Sequence, residues 1–462
     1  MLFNSVEFFV FLVVVLAGHR VIAGPWRGWW LLAASLLFYA YWNVACLPLL
    51  AGMVAISHFG ALAMAQQSDE RRRRRLLVAV ILANLAILAL FKYVDFAFAV
   101  LADAVGWVMP DWIRQARAAL IGQFSLPLGI SFFTFQVIAY TVDVYRREFP
   151  PQHRLDKTLL FISYFPHLVA GPIMRARELL PQLPGRVCLD RPTLASAFSL
   201  MTLGLFKKVV VADSLATLSD PYFANPTGVL ADAWAATIAF SFQIYADFSG
   251  YTDLAMGISL LFGIKLVQNF DQPYLKTNIT DFWRAWHMSL SRWFRDYFYI
   301  PLGGSQEGRW RFYLNLVLTM TVVGLWHGAN YTFLVWGAYH GMLLVGHKVI
   351  RDRSWRLPLP APVKAVTVFI LVALGWVFFR SPDMATATQI LGQAWSGERG
   401  AATLALAPLV MVPLVIVADY LSLSDKLPRH FQQIRKFVPL VLLVLIFLLG
   451  SGKSNQFIYF EF

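Results

Sequence analysis

The sequence predicts an all-α polytopic membrane protein, and three observations carry that prediction. Hydrophobic residues make up 58% of the 462 and charged ones 14%, where soluble domains hold about 25% charged residues. Apolar runs approaching the roughly 20 residues that cross a bilayer core recur along the chain: Val6–Gly18, Trp29–Leu50, Leu76–Phe91, Ile130–Tyr140, Ala365–Phe379, Ala401–Val417 and Phe437–Gly450. Between 125 and 345, Gly, Pro and ionisable groups repeatedly break the apolar runs, as in "FSFQIYADFSGYTDLAMG". Irregular backbone at membrane depth must face protein or water. The pattern therefore predicts plain spans (1–110 and 357–462) around a polar core with a cavity or funnel (125–345), all in one membrane domain, 1–462.

The first segment, "MLFNSVEFFVFLVVVLAGHR", has no basic lead-in and no small-residue cleavage site, and reads as an uncleaved first helix. The two cysteines, Cys46 and Cys188, are far apart and imply no disulfide framework. The net charge of +13 would suggest nucleic acid for a soluble protein. In a membrane protein it is what the positive-inside rule and anionic lipid heads produce, so no nucleic-acid partner is expected. The basic clusters are Arg71–Arg75, Arg146–Lys157, His347–Arg356 and Lys426–Lys436. Placing all four inside requires three helices before Arg71 and puts both termini outside the cytoplasm. Residues 111–124, "DWIRQARAALIGQF", read as an amphipathic connector in the interface.

In "DFWRAWHMSLSRWFRDYFYIPLGG" (281–304), Trp283, Trp286, Leu290, Trp293 and Tyr297 recur at three- and four-residue spacing, one stripe of a helix. Asp281 is a candidate cap, and Pro301 with Gly303 and Gly304 ends the segment. Arginines interleave with the stripe, so the helix is expected at the cytoplasmic interface or dipping into the protein. His287 lies at the edge of the apolar face, where a hydrogen-bonded interfacial histidine competes with a functional one.

His327 follows the apolar run Leu316–Trp326 and sits between Gly324 and Gly328, which admit another backbone or a ligand. An intramembrane histidine is a functional-site hypothesis by default, since neutral imidazole can take up a proton near pH 7; an interhelical hydrogen bond is the structural alternative. His340 and His347 share a helix face but have no third metal ligand at suitable spacing. The chain lacks H-E-x-x-H, a Walker loop and a dinucleotide glycine loop, so no metal site is expected. His167, beside Arg175 and Arg177, reads as part of a basic turn, for phosphate or for topology. Asp247 and Asp253 in "YADFSGYTD" are intramembrane carboxylates, read either as caps and buried hydrogen-bond acceptors or as cavity lining.

Together the segments "LPLGISFFTFQ" (126–136), "HLVAGPIMRARELLPQ" (167–182), "FQIYADFSGYTDLAMG" (242–257), "QPYLKTNITDFWRAWHMSLSRWFRDYFYIPLGG" (272–304), "GLWHGANYTFLVWGAYHG" (324–341) and "FIYFEF" (457–462) resemble the membrane-bound O-acyltransferase family. The likeness is to its polysaccharide O-acetyltransferase branch and the teichoic-acid D-alanylating relatives, and these core motifs do not depart from the family pattern. The resemblance implies roughly 11–13 transmembrane helices plus interfacial or re-entrant helices around a central funnel. Two histidines fall near its narrow point: His327 as catalytic base and His287 as its companion. Trp326, Asn330, Trp283, Trp286, Asp247 and Asp253 are then the expected substrate-binding residues. The resemblance further implies no bound cofactor, with acetyl-CoA as acyl donor. It implies an extracytoplasmic SGNH-hydrolase-like acetyltransferase partner, an exopolysaccharide synthesis and secretion complex acetylating alginate, cellulose or a similar polymer, and a bacterial inner-membrane location. A secondary transporter or polysaccharide channel lined by Asp143, Asp247, Asp253 and His327 is the alternative, but the inverted repeat common in transporters is not evident.

Overall fold

A computed structural model describes residues 1–115, 127–306, 308–355, 358–423, 434–450 and 457–458. Among them every regular element is helical, apart from one isolated bridge between Val229 and Glu398. Helices satisfy their own backbone inside lipid, where water cannot. The protein is an all-α membrane protein. By length and composition, Val44–Ala65, Glu70–Lys92, Arg191–Ala224 and Ala361–Arg380 can each cross a bilayer. The chain forms two compact units, Phe3–Asp190 with Ser259–Leu266, and Arg191–Ile258 with Val267–Phe462.

In the first unit, α1 (Val6–Val21) is capped by Ser5, whose side chain accepts from the Phe8 N–H at 3.2 Å. Together with α2 (Trp26–Ala40) it builds an aromatic cluster, with Phe11 edge-on to Phe165 at 5.3 Å and Phe38 5.7 Å from the same ring. The apolar run Trp29–Leu50 is not one helix. Asn43 Oδ1 captures the Ala45 N–H at 2.9 Å, and α3 (Leu47–Ala65) starts anew with a proline in its first turn. Arg71–Arg75 are not loop residues but the opening turns of α4 (Glu70–Lys92), capped by Asp69. Arg73 turns inward to Glu70 at 2.8 Å and the Tyr145 carbonyl at 2.7 Å, while the other four stay exposed. Then come α5 (Val94–Val105), α6 (Ile130–Tyr145), α7 (Leu155–Ser163) and α8 (Ala176–Leu179). Of the connector read at 111–124, residues 111–115 are helical and 116–124 lie outside the described residues.

Several buried polar side chains in this unit pair with one another, which offsets their loss of water. Asn84 donates to Ser57 Oγ at 3.1 Å, and His58 Nδ1 is 2.9 Å from Thr158 Oγ1. His167 has both ring nitrogens engaged, with Gln136 at 2.7 Å and the Phe161 carbonyl at 3.0 Å.

The second unit opens with α9 (Arg191–Leu205), a π-helical turn at Phe206–Ala212 and α10 (Asp213–Ala224). The long α11 (Leu230–Leu261), whose last turn counts with the first unit, meets α9 through glycines. A Cβ on Gly204 would stand 2.6 Å from the Gly250 carbonyl oxygen, the close approach that small residues permit in lipid. The remaining helices are α12 (Ile279–Ala285), α13 (Met288–Phe294), α14 (Arg309–His327), α15 (Tyr331–Asp352), α16 (Ala361–Arg380), α17 (Met384–Ser396), α18 (Met411–Leu423) and α19 (Val438–Leu449). In the run Ala401–Val417, α-helix begins only at Met411, after the 3₁₀ turn Ala407–Val410 that contains Pro408.

The pair α14 and α15 forms a tight hairpin through two G-x-x-x-G stretches, "GLWHG" (324–328) and "GAYHG" (337–341). A Cβ on Gly324 would collide with the Phe333 carbonyl, and one on Gly337 with the Met320 carbonyl. Both obstacles are backbone, so neither can swing away. Gly337→Val should therefore destabilise the protein by about 1–3 kcal/mol or more, read as a lower unfolding temperature in detergent. An unchanged temperature would refute the close hairpin.

Candidate active site

All the site residues expected from the sequence lie in the second unit. His327 is the last residue of α14 and only 4% exposed. Three aromatic rings meet it nearly edge-on: Trp326 at 4.8 Å, Trp336 at 5.2 Å and Phe379 at 5.1 Å. The hairpin geometry explains this box. Gly324 and Gly337 let α14 and α15 approach until Trp336 reaches His327, and α16 supplies Phe379 from its last turn.

His287 is fully buried and sits at a break in the chain. The stripe from Trp283 to Tyr297 is not a single helix: α12 stops at Ala285, His287 takes a left-handed conformation with φ of 42°, and α13 begins at Met288. The break has a tertiary cause that periodicity cannot show. Asn269 takes the Met288 N–H on its carbonyl at 2.9 Å and the Ser289 N–H on its side chain at 3.1 Å, while the Asp271 N–H caps the Ala285 carbonyl at 3.0 Å. Asn278, rather than Asp281, caps α12: its Oδ1 accepts from the Asp281 N–H at 2.9 Å. A non-glycine residue in this conformation costs about 1–3 kcal/mol and points to a positional requirement. The kink turns the His287 ring against Phe248 at 4.7 Å and within 6.1 Å of Trp326. Trp326 thus touches both histidines.

Trp283 and Trp286 join the same aromatic wall. Trp283 meets Trp336 at 5.7 Å and His340 at 5.1 Å, and Trp286 meets Trp376 at 4.9 Å. Asn330 is placed differently. Its carbonyl oxygen caps α15 by accepting from the Thr332 N–H, and its amide donates to the Pro382 carbonyl at 2.8 Å. Asp247 and Asp253 belong to a buried ionic network on α11. Lys208 pairs with Asp247 at 2.7 Å and Asp213 at 3.1 Å; Lys207 pairs with Asp253 at 2.7 Å and Asp419 at 2.6 Å. The Tyr245 hydroxyl donates to Asp419, and Asp247 accepts the Ile458 N–H at 2.8 Å. Phe457, in the closing motif whose residues 459–462 lie outside the described set, packs under Lys208 at 4.8 Å. The helix that carries this network also carries Phe248, so α11 links Asp247 and Asp253 to His287.

Sequence reasoning missed Trp336, Phe379, Asn269, Lys207, Lys208 and Asp419, and read His340 only as a failed metal ligand. The signal for the lysines was present: "LFKKVVVAD" sets two consecutive cations in an apolar run, and such cations need partners. Nothing local marks Asn269 or Phe379. Among the described residues no group of three or more His, Cys, Asp or Glu is placed to hold a metal ion.

An imidazole is the side chain best suited to exchange a proton near neutral pH, and two of them, His327 and His287, lie buried either side of Trp326. Comparison with known proteins identifies the family. Residues 152–378 match the model of the MBOAT, membrane-bound O-acyltransferase, family. The chain is 39% identical over 390 residues to the probable alginate O-acetylase AlgI of Pseudomonas aeruginosa, covering 84% of this chain and 73% of that protein. It is 37% identical over 427 residues to the peptidoglycan O-acetyltransferase of Helicobacter pylori, covering 85% and 79%. It is 30% identical over 233 residues to the teichoic acid D-alanyltransferase of Bacillus subtilis, covering 47% and 58%. The chain therefore belongs to the membrane-bound O-acyltransferase family and is an integral membrane acyltransferase.

Proposed function

We propose that this enzyme takes an acetyl group from acetyl-CoA on the cytoplasmic side and passes it across the bacterial inner membrane for O-acetylation of a secreted polysaccharide. The observation that carries the reading is the pair of buried histidines joined through Trp326. The names of the relatives, a probable alginate O-acetylase, a peptidoglycan O-acetyltransferase and a teichoic acid D-alanyltransferase, support a polymer as the final acceptor. His327 is the general base: it removes the proton from an acceptor hydroxyl as that oxygen attacks the thioester carbonyl. His287, fixed by its kink, orients the donor. Trp283, Trp286 and Trp326 wall the acyl group off from water, and Asn330 holds the start of α15. Asp247 and Asp253 fix α11 behind His287. The acceptor is a serine on an extracytoplasmic, SGNH-hydrolase-like partner within the polymer synthesis and secretion complex, which then acetylates alginate, cellulose or a similar glycan. Both chain termini face outside the cytoplasm, which leaves Arg71–Arg75 against the inner-leaflet lipid heads.

The test is thioester turnover. Purified protein given acetyl-CoA labelled in the acetyl group should release CoA, and label should pass to the extracytoplasmic partner. A protein that moves polymer or ions without consuming thioester is a transporter, and that outcome sinks the proposal.

A further inference from the structure

Trp336, which meets His327, and its neighbours Trp283 and His340 bury polar atoms that have no hydrogen-bond partner among the described residues: Trp283 Nε1, Trp336 Nε1 and both ring nitrogens of His340. The rings form one cluster, with His340 edge-on to Trp283 at 5.1 Å and 5.1 Å from Trp336. Their neighbours in the same wall are satisfied. Trp376 donates to the Tyr274 hydroxyl at 3.0 Å, and that hydroxyl donates to the Ser241 carbonyl at 2.6 Å. Leaving a buried donor without an acceptor is unfavourable, and phenylalanine at 283 or 336 would fill much of the same space without that cost. Two such indoles, one of them packed against the proposed base, suit an acceptor that forms during the reaction. Negative charge developing on an acyl oxygen is such an acceptor.

We infer that the indole N–H of Trp336, supported by that of Trp283, is the oxyanion donor for acyl transfer at His327. The inference rests on the acyl-transfer reading above. As the acceptor oxygen bonds to the carbonyl carbon, its proton passes to a ring nitrogen of His327. The carbonyl electron pair moves onto oxygen, where the Trp336 N–H meets it. Collapse re-forms the carbonyl, breaks the carbon–sulfur bond, and returns the proton from His327 to the departing thiolate. The Trp336 ring stands 5.2 Å from His327 at 85°.

Two variants of the full chain test this. Trp336→Phe removes the N–H together with some ring area. Replacing Trp336 by β-(3-benzothienyl)alanine exchanges only the N–H for sulfur and keeps the shape. With acetyl-CoA as donor, both should lose about 100-fold or more in kcat while KM stays within about threefold, and the benzothienyl variant should melt in detergent as the wild type does. A benzothienyl variant with wild-type kcat, or one that changes only KM, overturns the inference alone. Trp336→Phe that fails to fold leaves the decision to the isosteric replacement. Wild-type protein that turns over no thioester overturns the acyl-transfer reading itself, and this inference with it.

Discussion

His327→Gln should lower acyl transfer by about 10²–10⁴-fold, the contribution of a positioned general base. Glutamine can hydrogen-bond within the box of Trp326, Trp336 and Phe379, but it cannot take up a proton near pH 7. The substitution leaves the α14–α15 backbone contact intact, because that contact runs through Gly324 and Gly337 rather than through the histidine. The variant should thus insert and melt like the wild type while losing CoA release and polymer acetylation together. Initial rates in membranes, normalised to protein level, measure this. A rate within threefold of wild type would remove His327 from the chemistry and leave its burial to be explained by packing alone.

Lys207→Met should destabilise the fold by about 3–5 kcal/mol, the usual cost of removing one partner from a buried ionic cluster. Lys207 is 1% exposed and holds both Asp253, at 2.7 Å, and Asp419, at 2.6 Å. Without it, two carboxylates from α11 and α18 face each other away from water with no cation between them. Methionine fills similar space, so the loss reports charge rather than volume. The triple variant Lys207→Met, Asp253→Asn, Asp419→Asn should recover much of the loss, because it removes the orphaned charges as well. Thermal unfolding in detergent decides. A single variant as stable as the wild type would show that the cluster contributes nothing to the fold.

Membrane class, helical content and the burial of His327 were legible in the sequence because each rests on composition or on a short contiguous motif. His287 read only as a residue at the edge of an apolar face, and its full burial is a tertiary result. Apolar runs must become helices in lipid, and an ionisable group within such a run is conspicuous whatever its neighbours do. The glycines around His327 announced a close approach, and the structure supplies the partner, the backbone of α15 at Phe333. Where the reading failed, a distant residue intervened. The stripe Trp283–Tyr297 has faultless helical spacing, yet Asn269, 18 residues before His287, captures the N–H groups of Met288 and Ser289 and breaks the helix there. Asp247 and Asp253 read equally as buried acceptors or as cavity carboxylates until Lys207 and Lys208 are brought against them from another helix.

By itself the sequence determined the solvent this chain folds in, the helices that solvent demands, and the chain positions of two imidazoles among them. Only the tertiary structure decided which groups those imidazoles meet. Helix formation is set by neighbours within a turn, whereas the Trp336 and Phe379 box, the His287 kink and the lysine–aspartate network each depend on residues far apart in the chain. Packing and long-range hydrogen bonds bring those residues together, and no local pattern encodes which ones will meet.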